Sequence, residues 1–212
     1  RKIMKSWTDF KNAINSKIPE LYRGLNTGAD EADICNIERK MKILLPQQLI
    51  ELYKENNGDD ENLICGIIMG FHFYSIDEMY SEWKTWKDIS SNPDFMNGYK
   101  GTSTPENYIK KMYANPKWIP ICGDGSGNHI GIDLDPDVNG KSGQIITFGT
   151  DESNKIVIAE DLNSFFERLT RIVNSNHFSI DEFDDENVIS LNIDEDYGIF
   201  LTDYFKMNTA VK

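Results

Sequence analysis

The sequence predicts a protein of mixed α-helices and β-strands, folded as one large domain or as one domain with an extension. Apolar residues recur at helical spacing through residues 6–86, which is typical of amphipathic helices. Four short β-rich runs, "WIPIC", "HIGIDLD", "QIITF" and "KIVIA", follow within residues 118–159 and are separated by turn residues. Hydrophobic residues make up 39% of the 212 residues, which is enough for a sizeable core.

Three helices are predicted ahead of the first β-rich run. The first lies in "SWTDFKNAINS", residues 6–16. Asp30 is placed to cap the second helix, with Asp33 in the acidic third position of a capping box. Pro46 suits the first turn of the third helix, and the pair 57–58, Asn-Gly, marks its end. The residues predicted to form the apolar faces are Trp7, Phe10, Ile14, Ile34, Ile37, Met41, Leu49, Leu52 and Tyr53.

The nearly continuous apolar run "LICGIIMGFHFYS" covers residues 63–75 and predicts a buried strand or hairpin. His72 within it is interpreted as a packed or hydrogen-bonded core histidine. Ser75 and Glu78 form a further capping box, so a helix begins there. Aromatic residues at helical spacing are more typical of core than of a stacking platform, which assigns the stripe that follows to the core. That stripe consists of Ile76, Met79, Tyr80, Trp83 and Trp86. Residues 88–107 show little pattern and predict a long loop.

The run "HIGIDLD" alternates apolar side chains with polar or small ones. Ile130, Ile132 and Leu134 occupy the apolar positions, which predicts one apolar face and one polar face. Asp133 and Asp135 would then share the polar face of an edge strand.

The last part of the chain combines a helix with an acidic segment. Asp161 is placed to cap a helix whose apolar face holds Leu162, Phe165 and Leu169. After residue 176 the sequence becomes acidic, but interspersed Phe, Ile, Leu and Tyr argue against a disordered tail. We therefore predict a small ordered extension.

Composition limits the classes of function. The chain has 22 Lys and Arg against 35 Asp and Glu, a formal charge of −13, which makes direct nucleic-acid binding unfavourable and favours a basic partner. No apolar run is long enough to span a bilayer, and the start shows no signal-peptide pattern. Three widely spaced cysteines in apolar or small-residue contexts predict buried free thiols and a cytoplasmic location.

The stretch "CGDGSGNHIGIDLDP", residues 122–136, is the one that most resembles a ligand-binding loop. A dinucleotide-binding fingerprint needs a helix after its glycines, whereas a strand follows here. The later "NGKS" lacks the first glycine of a phosphate-binding loop, and a Gly-x-Ser-x-Gly elbow is absent. The glycines are therefore predicted to make a tight turn between two strands, with Asp124 and Asn128 hydrogen-bonding the turn backbone.

The residues that follow this turn in the sequence partly match the pattern of a calcium-binding loop. Asp135, Asp137 and Asn139 occupy its first, third and fifth positions, but Ile146 stands where a bidentate Glu is needed. The histidines and cysteines show no metal-ligand spacing either. We therefore predict no metal ion and no cofactor. A hydrolase that uses Asp133 with Asp135, or a histidine-centred site, is the third of three functional hypotheses.

The order of these pieces resembles the SUKH superfamily, in the branch similar to fungal cell-wall assembly (glucan synthesis) regulators. The helix pair "ADICNIERKMKILLPQQLIELYKENNG" and the strand–helix piece "IIMGFHFYSIDEMYSEWKTWKD" carry part of the resemblance. The most specific piece is "NPKWIPICGDGSGNHIGIDLDPDVNGKSGQIITFG", and "IVIAEDLNSFFERL" closes the match. The likeness covers residues 30–170, which leaves 1–29 as an N-terminal helical segment and 171–212 as an acidic C-terminal extension.

The resemblance implies a single α+β domain with a mixed, largely antiparallel sheet and helices packed around it. It also implies a binding module without catalytic activity. Bacterial members of the superfamily are mostly immunity proteins that neutralise toxins, often nucleases, and fungal members are interaction proteins in wall-integrity signalling. Our leading hypothesis is a cytoplasmic immunity protein that binds a basic toxin domain stoichiometrically. The alternative is a regulatory or scaffold protein in cell-wall (glucan) synthesis.

Either function needs a protein-binding surface, and the acidic charge indicates carboxylates as its contacts. Trp83 and Trp118 are assigned to the core. The predicted partner-binding residues are Glu78, Glu82, Asp124, Asp135, Asp137, Asp151 and Glu152.

Overall fold

The computed structural model describes residues 4–60, 62–194 and 196–209. Each predicted segment, 1–29, 30–170 and 171–212, also includes positions that lie outside the described residues. The helices are α1 (Lys5–Lys17), α2 (Pro19–Arg23), α3 (Glu31–Met41), α4 (Gln47–Glu55), α5 (Ile76–Ser90), α6 (Pro93–Met96), α7 (Leu162–Ser175) and α8 (Leu201–Met207). The strands are β1 (His72–Phe73), β2 (Thr102–Thr104), β3 (Trp118–Gly123), β4 (Asn128–Asp133), β5 (Gln144–Gly149), β6 (Asn154–Ala159), β7 (Phe178–Phe183), β8 (Glu186–Asp194) and β9 (Tyr197–Ile199). Within these described stretches, no helix has the length and apolar content that crossing a membrane requires.

The strands form two sheets. The larger one has the order β1-β3-β4-β5-β6-β2, and its strands pair antiparallel except for β2, which runs parallel to β6. The smaller sheet, β7-β8-β9, is antiparallel throughout. The predicted α+β class with a mixed, largely antiparallel sheet is therefore confirmed.

Apolar side chains cover both faces of the larger sheet. Along β6, Ile156 and Ile158 join one buried cluster, whereas Val157 between them joins a second cluster with Trp118 and Phe148. Successive side chains of a strand point to opposite faces, so the two clusters lie on opposite sides of the sheet. The first cluster is the main core, and α1 and α7 pack into it.

An aromatic group joins α1, α7 and β1 in the main core. The Trp7 ring lies 4.9 Å from the Phe166 ring, 5.6 Å from that of Phe73 and 5.7 Å from that of Phe10. Trp7 Nε1 also donates a hydrogen bond to Asn56 Oδ1, so the buried indole keeps a polar partner. These contacts fix the helical layer against the strand that precedes α5.

The prediction of a polar face on an edge strand is wrong. β4 lies between β3 and β5, and every residue of β4 is buried. Asp133 at its end is 0% exposed and accepts hydrogen bonds from the Asp135 backbone N–H and the Gln144 side chain. A buried carboxylate with hydrogen-bond partners gives the same alternating sequence pattern as a solvent-exposed one. The pattern alone therefore does not distinguish a buried acid from an exposed one.

Local capping signals have mixed outcomes. The Ser75–Glu78 capping box is present in full, and the Asp161 side chain accepts from the Ser164 N–H at the start of α7. Asp30 is the N-cap of α3 but makes no side-chain hydrogen bond, so the predicted capping box there is wrong. Pro46 is the N-cap of α4, one position ahead of the first turn.

Three other expectations need correction. The run 63–75 contains only the short β1, preceded by isolated bridges, because glycines at 66 and 70 fold it tightly on itself. The predicted loop 88–107 contains the end of α5, all of α6 and β2. The cysteines are free, but only Cys122 is buried; Cys65 is half-buried and Cys35 is exposed.

The C-terminal segment packs onto the rest of the chain through β8 and α8. Ile189 and Leu191 of β8 and Phe205 of α8 are buried in the main core. The Arg168 guanidinium lies 4.7 Å from the centre of the Phe205 ring. α7 spans Leu162–Ser175 and so crosses the segment boundary predicted at residue 170. The predicted division into segments stays a prediction.

Replacing Leu49 or Leu52 with Ala should lower the free energy of unfolding by about 2–5 kcal/mol, because each side chain is fully buried in α4 and leaves a cavity. Leu44→Ala is the matched control, since Leu44 is 86% exposed, and it should cost less than about 0.5 kcal/mol. Urea unfolding measures all three. Losses below about 0.5 kcal/mol for both core variants would contradict the packing of α4.

Candidate functional site: an acidic cleft beside the glycine turn

The glycine-rich stretch is a tight turn between β3 and β4, as predicted. Asp124 Oδ1 accepts from the backbone N–H groups of Ser126 (2.7 Å) and Asn128 (3.2 Å). Gly125 and Gly127 have φ of +79° and +89°, a conformation that favours glycine. The Asn128 side chain donates to Asp124 and to Asp151, so it ties this turn to the one after β5. The turn is therefore a fixed structural feature of this end of the sheet.

A buried carboxylate organises the neighbouring segment. Asp59 Oδ2 accepts from the backbone N–H of Ile67 (2.9 Å) and of Phe73 (3.0 Å), and Oδ1 bonds His72 Nδ1. Gly58 precedes it at φ +80°, where an added Cβ would lie 2.5 Å from the Ser75 nitrogen. Only glycine fits at position 58. The Asp59 side chain that follows it contacts the backbone of the segment leading to β1.

His72 bridges two carboxylates. Its Nε2 lies 3.1 Å from Glu78 Oε1, and the other Glu78 oxygen accepts from the Ser75 N–H at 2.7 Å. The hydrogen bond to Asp59 raises the pKa of His72 to about 9, and partial burial opposes this. Burial alone would raise the pKa of Glu78, but hydrogen bonds from Ser75 and His72 lower it. We call this Asp59–His72–Glu78 arrangement the carboxylate–imidazolium chain.

His129 is the second imidazole of the region and is held neutral. Its Nε2 accepts from Trp86 Nε1 at 2.8 Å, and its Nδ1 lies 2.8 Å from the Tyr74 hydroxyl. Because Nε2 is an acceptor, Nδ1 carries the proton in the neutral ring and donates to Tyr74. Burial lowers the pKa of His129 to about 4. Glu82 Oε2 lies 3.7 Å from Nε2, and burial followed by repulsion from Glu78 raises the pKa of Glu82.

These groups surround two adjoining cavities, which we call the acidic cleft. Their volumes are about 640 and 380 Å³, and His72, Gly123 and Gly125 line both. No lysine or arginine lies among the described residues that line them. The acids of the cleft are Asp59, Asp60, Glu78, Glu82, Asp124, Asp185 and Glu186. The His72 imidazolium matches Asp59 and Glu78, whereas the other acids line the cleft with no lysine or arginine among its described lining residues, which favours a basic group from another molecule.

The cleft brings some of the predicted contact residues together. Glu78, Glu82 and Asp124 line it, and Asp151 lies beside it through the side chain of Asn128. Asp124 and Asp151 are exposed, and Glu82 is half-exposed.

The other predicted contacts lie elsewhere. Asp135 and Asp137 follow the opposite end of β4, and Asp135 is engaged by Lys110 (2.6 Å) and Asn115 (2.9 Å). Glu152 is 5% exposed and forms an ion pair with Lys206 of α8 at 3.1 Å. Its prediction as a surface acid is therefore wrong, because this carboxylate joins α8 to the rest of the fold.

The carboxylates proposed for a hydrolase have separate structural roles. Asp133 is buried and burial raises its pKa to about 6, while Asp135 is held by Lys110. No three His, Cys, Asp or Glu side chains among residues 4–60, 62–194 and 196–209 are placed to hold a metal ion. Cys65, the thiol that lines the cleft, has its pKa raised to about 11, first by burial and then by Asp59. A thiol with so high a pKa is a poor nucleophile.

Sequence reasoning missed several residues of the cleft. Asp59 and Asp60 directly follow the Asn-Gly pair at the end of α4, a pattern that predicts a helix end and says nothing of a cleft. Asp185 and Glu186 reach the cleft from the turn between β7 and β8, more than 120 residues from Asp59. No local pattern connects segments so far apart.

Comparison with known proteins gives the family. The SMI1 / KNR4 family (SUKH-1) pattern matches residues 28–168, so the chain belongs to this family and the predicted resemblance is confirmed. The cell wall assembly regulator SMI1 of Saccharomyces cerevisiae is 28% identical over 84% of this chain and 41% of its own length. The glucan synthesis regulatory protein of Neurospora crassa is also 28% identical, over 89% of this chain and 41% of its own length. The cell wall biosynthesis/cell cycle regulator smi1 of Schizosaccharomyces pombe is 29% identical, over 89% and 39%. The chain thus spans about two fifths of these relatives.

The neutral His129 predicts a specific loss of stability in acid. An unfolded histidine binds a proton below its ordinary pKa of 6.5, whereas folded His129 does so only near pH 4. Stability is therefore full above pH 6.5 and falls as the pH drops towards 4. As the pH falls from 6.5 to 4, the free energy of unfolding of the wild type should drop by up to about 3 kcal/mol more than that of a His129→Gln variant. Urea unfolding across this range measures it, and a difference that does not change with pH would contradict a neutral, buried His129.

Proposed function

We propose that this member of the SMI1 / KNR4 family is a non-enzymatic regulator of cell-wall synthesis that acts by binding another protein. The acidic cleft receives a basic segment of that partner. One observation carries the proposal: carboxylates from four parts of the chain converge on the cleft, with no lysine or arginine among its described lining residues. A cationic side chain supplied by a partner would complete it.

Binding accounts for the cleft better than catalysis does. A histidine that acts as a general base needs a free nitrogen within reach of a substrate, yet both nitrogens of His72 and both of His129 have partners within the protein. The Cys65 thiol is poorly ionised, because burial raises its pKa to about 11. The imidazoles and the thiol of the cleft are therefore not placed for acid–base or nucleophilic chemistry.

The regulatory hypothesis gains support over the immunity hypothesis. The relatives reported above are named regulators of cell-wall assembly, glucan synthesis or cell-wall biosynthesis. These names favour the alternative that the sequence suggested, whereas a toxin partner and a cytoplasmic location stay predictions. Because the chain spans only about two fifths of those relatives, the process and the partner belong to this proposal.

The carboxylate–imidazolium chain prepares the cleft for this role. Glu78 and His72 already satisfy each other, so they form a fixed wall. Glu82 is half-exposed and can meet a cation, and Asp124, which is exposed but hydrogen-bonded within the turn, adds a second negative charge. Burial and then the nearby Glu78 raise the pKa of Glu82. An incoming ammonium or guanidinium group would relieve the repulsion between Glu78 and Glu82. The negative electrostatic field of the protein would also speed association with a basic partner at low salt.

The proposal is tested in the organism that encodes the chain. Deleting the gene should change the polysaccharide content of the wall, and Glu82→Lys should reproduce most of that change because it places a cation inside the cleft. Asp88→Lys is the matched control, since it makes the same charge change on the exposed face of the same helix, where the Asp88 side chain forms an exposed ion pair with Lys84. Wall polysaccharide content and protein abundance are measured in all strains.

A normal wall in the deletion strain would contradict the regulatory function. Sensitivity of those cells to a co-encoded toxin, reversed when the gene is restored, would then favour the immunity hypothesis. A wild-type wall with Glu82→Lys, at normal protein abundance, would remove the cleft from the mechanism.

A further inference from the structure

We propose that the free edge of β7 binds an extended, basic segment of the partner as an additional antiparallel strand. The inference rests on the proposed function only in taking the partner to be a basic protein. It adds a second surface, next to the acidic cleft, and a definite conformation for the bound segment.

The smaller sheet leaves a long edge open. β7 and β9 are its outer strands, and in the described residues β7 pairs only with β8. Over six residues, alternate N–H and C=O groups of β7 point away from the sheet, where another strand can bond them. β7 has no proline and no lysine, the residues that commonly protect an edge. Main-chain pairing is therefore available along the whole strand.

Exposed apolar side chains accompany this edge. Ile180 is 38% exposed and Phe183 is 63% exposed. They are three residues apart, so they lie on opposite faces of the strand. Ile180 pairs in register with the buried Ile189, whereas Phe183 pairs with Glu186 at the end of the hairpin. Each face of the edge thus offers one apolar contact to an added strand.

Charge selects a basic occupant. Asp181 and Glu182 lie between the two apolar side chains, one on each face. Residues 178–196 contain eight Asp and Glu and no Lys or Arg. A second copy of β7 added antiparallel would bring its own acids beside these, and like charges directly opposite each other are destabilising. A strand carrying lysine or arginine at those positions is stabilised instead.

The edge continues into the acidic cleft. Asp185 and Glu186, in and just after the turn that ends β7, line the larger cavity together with Asp60 and Asp124. A segment paired with β7 and continuing past Phe183 therefore reaches the cleft. The two surfaces form one path for an extended basic chain.

The register defines a probe peptide. A peptide with the core Val-Lys-Lys-Val-Thr-Val, bound antiparallel, places its first valine opposite Phe183 and its lysines opposite Glu182 and Asp181. Its next valine then lies opposite Ile180. Two controls keep the protein unchanged: the same peptide N-methylated at alternate positions, which removes strand hydrogen bonds, and a version with glutamates in place of the lysines.

The full chain is titrated with each peptide, and amide shifts of residues 178–183 are followed by NMR. The unmodified peptide should shift these amides, N-methylation should weaken binding at least about tenfold, and the glutamate version should not bind. Asp181→Lys with Glu182→Lys should weaken binding about tenfold, while Asp203→Lys, an exposed acid outside the sheet, should leave it unchanged.

Four results would overturn the inference. The first is no binding of the unmodified peptide, and the second is equal binding of the N-methylated one. The third is self-association of the chain through β7, which would identify a second copy as the occupant. Binding that is lost with Glu82→Lys but leaves residues 178–183 unshifted would also overturn it, while leaving the proposed function of the cleft intact.

Discussion

The buried carboxylate of Asp59 is the group on which the rest of the site depends. Its side chain is fully buried, and its two oxygens accept from the backbone of Ile67 and Phe73 and bond the ring of His72. Removing one partner of such a buried charge pair typically costs about 3–5 kcal/mol. These bonds hold Ile67, His72 and Phe73 around the carboxylate, and His72 passes the constraint to the first turn of α5 through Glu78. One wall of the acidic cleft is therefore set by a single side chain.

The acidic surface lies at the end of the larger sheet that carries the glycine turn between β3 and β4. Both faces of β3–β6 are covered by apolar clusters, so the sheet itself offers no polar face. At the opposite end of β4, Asp133 and Asp135 are bonded to Gln144 and Lys110 and stabilise the loops there. Around the glycine turn, by contrast, only Asp59 and Glu78 are bonded to a basic residue of the described cleft lining, His72, and no lysine or arginine lies there. The β7–β8 hairpin extends that surface, because Asp185 and Glu186 belong to both.

Much of the fold follows from local pattern, whereas the site follows from contacts that are distant in sequence. The helical spacing of Leu49 and Leu52 and the Ser75–Glu78 capping box depend on neighbours within a turn or two, so they were predictable. The turn at Asp124 is local in the same sense. The burial of Asp133 was not predictable, because alternation looks the same for a solvated acid and for one bonded to Gln144. The role of Asp59 was missed for a related reason, since its partners lie 8 to 14 residues away across a folded loop.

Titration of His72 measures the effect of the Asp59 carboxylate on its imidazole partner. Proton-detected NMR of the imidazole ring gives its pKa in the folded wild type and in an Asp59→Asn variant. We expect a pKa of about 9 in the wild type, because the Asp59 carboxylate stabilises the imidazolium, and a fall towards 6.5 when that charge is removed. In the wild type, the Asp59–His72 ion pair should stabilise the fold fully below pH 6.5 and lose this effect as the pH rises through about 9. A wild-type pKa near 6.5 that does not change with Asp59→Asn would contradict the central role of this carboxylate.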